Sequence, residues 1–184
     1  LVRKWKIFND IKWKREQTLP TILSLQEVRK IIHALPTLQS HTFYLTLYSL
    51  GLRLTEATTL QVRDILSDRG LVHIHAGKRA LDRMVPLPKI TLSTLRKYYK
   101  THRNPKWIFP ALGHNGGKKA QVAKKHVSDS GVQGVLQRTL KRLRFKKHIH
   151  PHVFRHAYAT HLLESNIPIR HVQKILGHKT LQST

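Results

Sequence analysis

The sequence predicts a mainly helical domain carrying one small antiparallel sheet. Three observations predict it. Apolar residues recur at helical spacing through most of the chain, and capping residues punctuate those runs. One stretch alone, Leu71 to Leu87, changes to a period of two. Hydrophobic residues make up 40% of the 184, enough for one buried core, which excludes general disorder.

The elements follow in order. Residues 1–20 read as a basic lead-in, with Trp5, Phe8 and Trp13 interleaved among Arg and Lys. They suit either a linker from a missing upstream domain that lies along phosphates or an arm whose aromatics dock on the body. The globular domain is expected over 21–184. Ser24 with Glu27 forms a capping box for a first helix bearing Val28, Ile31, Ile32 and Leu35, which Pro36 stops. A second helix runs from about Leu38 to Leu50, apolar on most sides and therefore expected at the centre; Gly51 ends it. A third starts at Glu56 with Thr55 as its cap. Val72 and Ile74 alternate with His73 and His75, Gly77 to Ala80 turn, and Met84, Val85 and Leu87 return, giving a hairpin with a basic tip. Further helices are expected from Thr91 to Thr101, Ser128 to Leu143, His152 to Glu164 and Pro168 to Leu176, with Trp107 to Pro110 as a buried loop anchor. His114 to His126 reads as a flexible basic loop.

Charge narrows the function. Lys and Arg number 34 against 9 Asp and Glu, a net +25 that repels itself unless a polyanion uses it. Nucleic acid is the expected partner, because clustered cations release counterions from phosphates. No apolar run approaches the length of a membrane span, and no basic amphipathic helix with a large apolar face suggests a membrane surface. Cysteine is absent, which excludes disulfides, thiol catalysis and Cys-type zinc sites in this sequence.

The chemistry concentrates in His150-Pro151-His152-Val153-Phe154-Arg155-His156. On a helix His152, Arg155 and His156 share a face, which is expected to present a guanidinium fork between two imidazoles, a set suited to phosphate. The i, i+4 histidines lack the Glu of the zinc-protease motif, and an Arg beside them disfavours a dication, so no metal is expected there or at His73 with His75. Arg53 sits in a corner beside Glu56, either paired locally or held by Glu56 toward the same phosphate. Lys78 lies at the hairpin tip, and His178 follows the helix end at Gly177. Lys118, Lys119, Lys124 and Lys125 suit DNA contact and a solvated charge run equally.

Together these motifs resemble the tyrosine recombinase (phage integrase) family, close to its Xer-type and integron-integrase branch. The likeness runs from Leu19 onward and covers the family's catalytic domain. Its first active-site Arg matches Arg53 in Gly-Leu-Arg-Leu-Thr-Glu, its hairpin Lys matches Lys78, its His-x-x-Arg pair matches His152 and Arg155, and its last His matches His178 in Leu-Gly-His. The family's hairpin usually reads Gly-Lys-Gly-x-Lys-x-Arg; here Arg79 and Leu81 replace the second Gly and the second Lys. The family's nucleophilic Tyr lies shortly after the last His, and Tyr44, Tyr48, Tyr98, Tyr99 and Tyr158 match none of its positions, so the sequence is expected to stop short of it.

The resemblance implies site-specific cleavage and rejoining of double-stranded DNA through a 3′-phosphotyrosine, without cofactor or metal. It implies self-association into a synaptic multimer on DNA and a cytoplasmic, nucleoid-associated bacterial or phage-encoded protein. It makes Arg53, Lys78, His152, Arg155 and His178 the catalytic set, with Glu56, Arg79, His156 and the four lysines of the basic loop in support. A non-catalytic DNA-binding module derived from an integrase, and a type IB topoisomerase-like enzyme, share the same pattern of residues.

Overall fold

The computed structural model describes residues 22–75, 82–111 and 117–177. The basic lead-in, the hairpin tip with Lys78 and Arg79, and His178 lie outside the described residues. The first helix, α1 (Leu25–Ala34), starts on the expected capping box. The Ser24 hydroxyl accepts from the Glu27 N–H, and the Glu27 carboxylate accepts from the Ser24 N–H. Then α2 (Leu38–Ser49) runs through the centre, burying Phe43, Tyr44 and Leu47 completely. Its buried threonines are satisfied within the helix: Thr42 and Thr46 donate to the carbonyls four residues back, each at 2.7 Å. The Tyr44 hydroxyl donates to the Val132 carbonyl at 2.9 Å, tying this helix to a distant one.

Gly51 turns the chain out of α2 with φ +58°, a left-handed conformation that favours glycine. A Cβ there would stand 2.5 Å from the Tyr158 ring and 2.9 Å from the Leu176 side chain. Gly51→Ala is therefore expected to cost about 2–4 kcal/mol, from backbone strain plus overpacking. Urea unfolding checks this, and an unchanged midpoint would contradict it.

After the turn comes α3 (Leu54–Thr58), with Arg53 as its N-cap. Sequence spacing placed that start at Glu56 with Thr55 as the cap. The helix begins earlier because the Glu56 carboxylate reaches back to the Arg53 N–H at 2.7 Å. The sheet has three strands, β1 (Ile65–Leu66), β2 (Leu71–Ile74) and β3 (Arg83–Pro86), paired antiparallel in that order. The hairpin was expected; β1 was not, being two residues long. Val72 pairs with Val85 and Ile74 with Arg83, and all four face inward. His73 pairs with Met84 on the other face.

Five helices follow: α4 (Lys89–His102), α5 (Gly117–Gln121), α6 (Asp129–Arg142), α7 (Pro151–Glu164) and α8 (Ile169–Leu176). The predicted anchor holds, since Ile108, Phe109 and Pro110 are buried. The predicted flexible loop does not hold for its described part. Buried Asn104 donates to the carbonyls of Ala120, Gln121 and Ala123, while its own carbonyl accepts from the Lys106 and Trp107 N–H groups. One amide side chain thus organises a stretch whose composition suggests a loop. The helices pack on α2 into one core, with Phe43 edge-on to Phe109 and Tyr44 against Phe154. Val172 and Leu176 of α8 pack with Ala159 of α7 in a smaller cluster. No helix among the described residues is long and apolar enough to cross a membrane.

Candidate active site

Glu56 is the hub of the site. Its side chain is 7% exposed and meets three guanidinium groups. Arg53 Nη1 donates to Oε1 at 2.9 Å. Arg83 grips both oxygens from its two terminal nitrogens at 2.8 Å each, a bidentate fork. Arg155 Nη1 stands 3.9 Å from Oε2. Burial alone would raise the Glu56 carboxyl. The Arg83 fork, the Arg53 N–H, the charge of Arg83 and the Arg53 side-chain hydrogen bond outweigh it and hold the group at about 2.

Arg155 is 3% exposed, so one sequence expectation needs correcting. The shared helix face does not present the guanidinium to solvent between His152 and His156. The two imidazoles are exposed, but Arg155 is sunk among helix ends. Its Nη1 donates to the Gly51 carbonyl at 2.6 Å and its Nη2 to the Leu176 carbonyl at 2.5 Å. Those carbonyls close α2 and α8, where unpaired C=O groups and the negative helix ends favour a cation. Burial, then the charge of Arg53, lowers the Arg155 guanidinium to about 10, which leaves it charged at neutral pH.

Arg53 is the more open of the two, with 37% of its side chain exposed. Partial burial, followed by the charges of His156, Arg155, His150 and Arg53, pushes His152 below the ordinary imidazole range. His156 is lowered too, by burial, Arg155 and His150. Both rings are therefore neutral at neutral pH and able to accept a proton. Their centroids lie 5.0 Å apart with planes nearly perpendicular. Arg53, Glu56, His152, Arg155 and His156 thus form one neighbourhood, and Arg53 acts electrostatically on both Arg155 and His152.

Arg83 was not singled out from the sequence. A signal existed: in a strand whose Val85 and Leu87 point inward, the residue two before Val85 must also point inward. The arginine occupies a core position, and its Nε donates to the Ile175 carbonyl at 2.8 Å, joining β3 to α8. It also presses on Gly177, where φ is +67° and a Cβ would lie 3.1 Å from the Arg83 Cδ. Gly177 ends α8 as the sequence predicted.

The basic loop residues differ in placement. Lys119, Lys124 and Lys125 are exposed, and Lys118 lies within α5. The Lys124 carbonyl accepts from the Trp107 indole and that of Lys125 from the Ala111 N–H, so this backbone is held in place. Tyr44 and Tyr48 have engaged hydroxyls, the latter 2.8 Å from His161 Nδ1, which agrees with packing roles for both tyrosines and for His161.

Arginines gathered on one buried carboxylate, with neutral histidines nearby, are a donor set suited to phosphate. The family is shown by comparison: residues 21–184 match the model of the phage integrase family, and the chain belongs to it. It is 38% identical over 169 residues to a tyrosine recombinase of Thermosipho africanus, covering 90% of this chain and 56% of that one. It is 32% identical over 173 residues to tyrosine recombinase XerA of Pyrococcus furiosus, covering 93% of this chain and 58% of the relative. The chain thus spans little more than half the length of these relatives. The fold matches the crystal structure of XerA recombinase with TM-score 0.76 at 23% identity, over 90% of this chain and 59% of that one. It matches XerH site-specific recombinase bound to its difH substrate with TM-score 0.73 at 19% identity, over 90% and 49%.

Proposed function

We propose that this chain is the catalytic domain of a site-specific recombinase that cleaves and rejoins duplex DNA through a 3′-phosphotyrosine. The observation that carries the reading is the Glu56 hub, which sets Arg53 and Arg155 in one preorganised group beside a neutral His152. A phosphorane gains negative charge on its equatorial oxygens, and fixed guanidiniums stabilise that charge without reorganising. Two arginines then supply what a metal supplies in other phosphoryl transfers. In this scheme Arg53, Arg155 and His178 bind those oxygens. His152 takes the proton of the attacking tyrosine, and Lys78 protonates the leaving 5′-oxygen. Glu56 and Arg83 are positioning residues. His156, Arg79 and the exposed lysines of the basic loop add to the field that draws in DNA. The net charge of +25 supports DNA as the partner. Residues 1–20 would serve as the lead from a core-binding domain, and the active assembly would be a synaptic multimer on DNA within the cytoplasm.

Covalent trapping tests the reading. The chain, carried through its natural stop codon, is incubated without metal with nicked DNA bearing a cognate site. An SDS-resistant adduct that maps to a tyrosine is the expected result. Tight, salt-sensitive binding with no adduct would instead assign a DNA-binding module whose arginines only anchor phosphates.

A further inference from the structure

The outer face of the β2–β3 hairpin carries a second cluster that the phosphate chemistry does not use. His73 Nε2 lies 3.0 Å from Asp82 Oδ2, and His75 Nδ1 lies 3.3 Å from the same oxygen. One ligand atom from each of the three residues falls within 4.8 Å of the others. The strands dictate this closeness. His73 and His75 alternate on one face, and the pairing of Ile74 with Arg83 sets Asp82 across from His75.

The opposite edge of His75 is also held. Its Nε2 lies 3.0 Å from Asp64 Oδ1. Asp64 is buried, and its other oxygen accepts from the Gln61 N–H at 2.8 Å. The carboxylate thus orients the ring so that Nδ1 faces His73 and Asp82. A carboxylate behind an imidazole that points at a ligand set is the usual support of a metal-binding histidine. A cleft of about 150 Å³, lined by His73, His75 and Asp64 and also by Glu56 and Arg63, leaves room for water beside the two histidines. Carboxylates are scarce here, nine in the whole chain, so two of them framing one imidazole is not the background of an acidic surface.

We propose that His73, His75 and Asp82 form a binding site for a divalent transition metal of the zinc type, with Asp64 positioning His75. Ligand atoms on a tetrahedral zinc with bonds of about 2.0–2.1 Å are about 3.3 Å apart; the two separations to Asp82 are 3.0 and 3.3 Å, and all three ligand atoms lie within 4.8 Å of one another. Two imidazoles and one carboxylate, with water in the fourth position, suit zinc, whereas calcium or magnesium prefers oxygen alone. The metal would join β2 to the residue before β3 through His75 and Asp82. It takes no part in the phosphate chemistry, and the proposal stands apart from the recombinase reading.

Equilibrium dialysis and calorimetry of the full chain with zinc chloride at neutral pH test it, with cobalt(II) as the spectroscopic probe. One saturable equivalent is expected, with a tetrahedral cobalt spectrum. His75→Gln and Asp82→Asn keep the polar character of each position, circular dichroism and urea midpoints check that each variant folds as the parent does, and each is expected to weaken binding at least roughly tenfold. Asp64→Asn is expected to weaken it roughly ten- to hundredfold while the cobalt spectrum keeps its shape, since the ligands remain. The rings of His148 and His150 lie 6.0 Å apart, with His150 6.5 Å from His152, and a His148→Gln, His150→Gln variant is expected to bind as the parent does. No saturable binding, or binding that survives His75→Gln and Asp82→Asn unchanged in folded variants, overturns the proposal.

Discussion

Glu56→Ala is expected to lower folding stability by about 3–5 kcal/mol. The substitution leaves the buried Arg83 and Arg155 guanidiniums without the carboxylate that neutralises them. It also removes the acceptor for the Arg53 N–H at the start of α3. The pH dependence gives an independent reading. The Glu56 carboxyl sits at about 2 in the folded chain against an ordinary 4.5. Its stabilisation is therefore fully present above pH 4.5 and is lost as pH falls toward 2, by about 3 kcal/mol in all. Urea midpoints measured across that range should converge for the parent chain and Glu56→Ala as pH falls. A constant gap, or a parent-like midpoint for the variant at neutral pH, would remove Glu56 from the centre of the site.

Arg53→Ala is expected to cut strand cleavage about 10³-fold while DNA affinity falls only a few-fold. Arg53 suits this test better than Arg155. A partly exposed Arg contributes little to folding, whereas truncating Arg155 would orphan the Gly51 and Leu176 carbonyls and confuse stability with chemistry. Single-turnover cleavage of a nicked substrate, beside salt-titrated binding of the intact one, separates the two effects. If cleavage and affinity fall by the same factor, Arg53 is a phosphate anchor and has no special hold on the transition state.

Most of the secondary structure was legible because its signals are local. The Ser24–Glu27 box, the helix-ending Gly51 and Gly177, the Pro151 helix start and the alternation of β2 each depend on residues within one or two turns. Where spacing misled, a side chain had bonded outside its pattern. Glu56 moved the start of α3 by reaching back to Arg53, and Asn104 ordered the 117–123 stretch from across the chain. β1 was too short for any period to show.

The same division runs through the site. Composition and spacing alone gave the helical class, the strong positive charge and the shared face of His152 and Arg155, and the resemblance to the family gave the motif position of Arg53. Tertiary structure alone decided that Arg155 is buried, that Arg83 completes the grip on Glu56, and that His73, His75 and Asp82 converge. Periodicity states which residues share a face; it does not state what covers that face. The carbonyls that hold Arg155 come from residues 104 and 21 positions away, and the carboxylate that holds Arg83 from 27 away. Only packing α7 against the ends of α2 and α8, and β3 against α3, brings them within hydrogen-bonding reach.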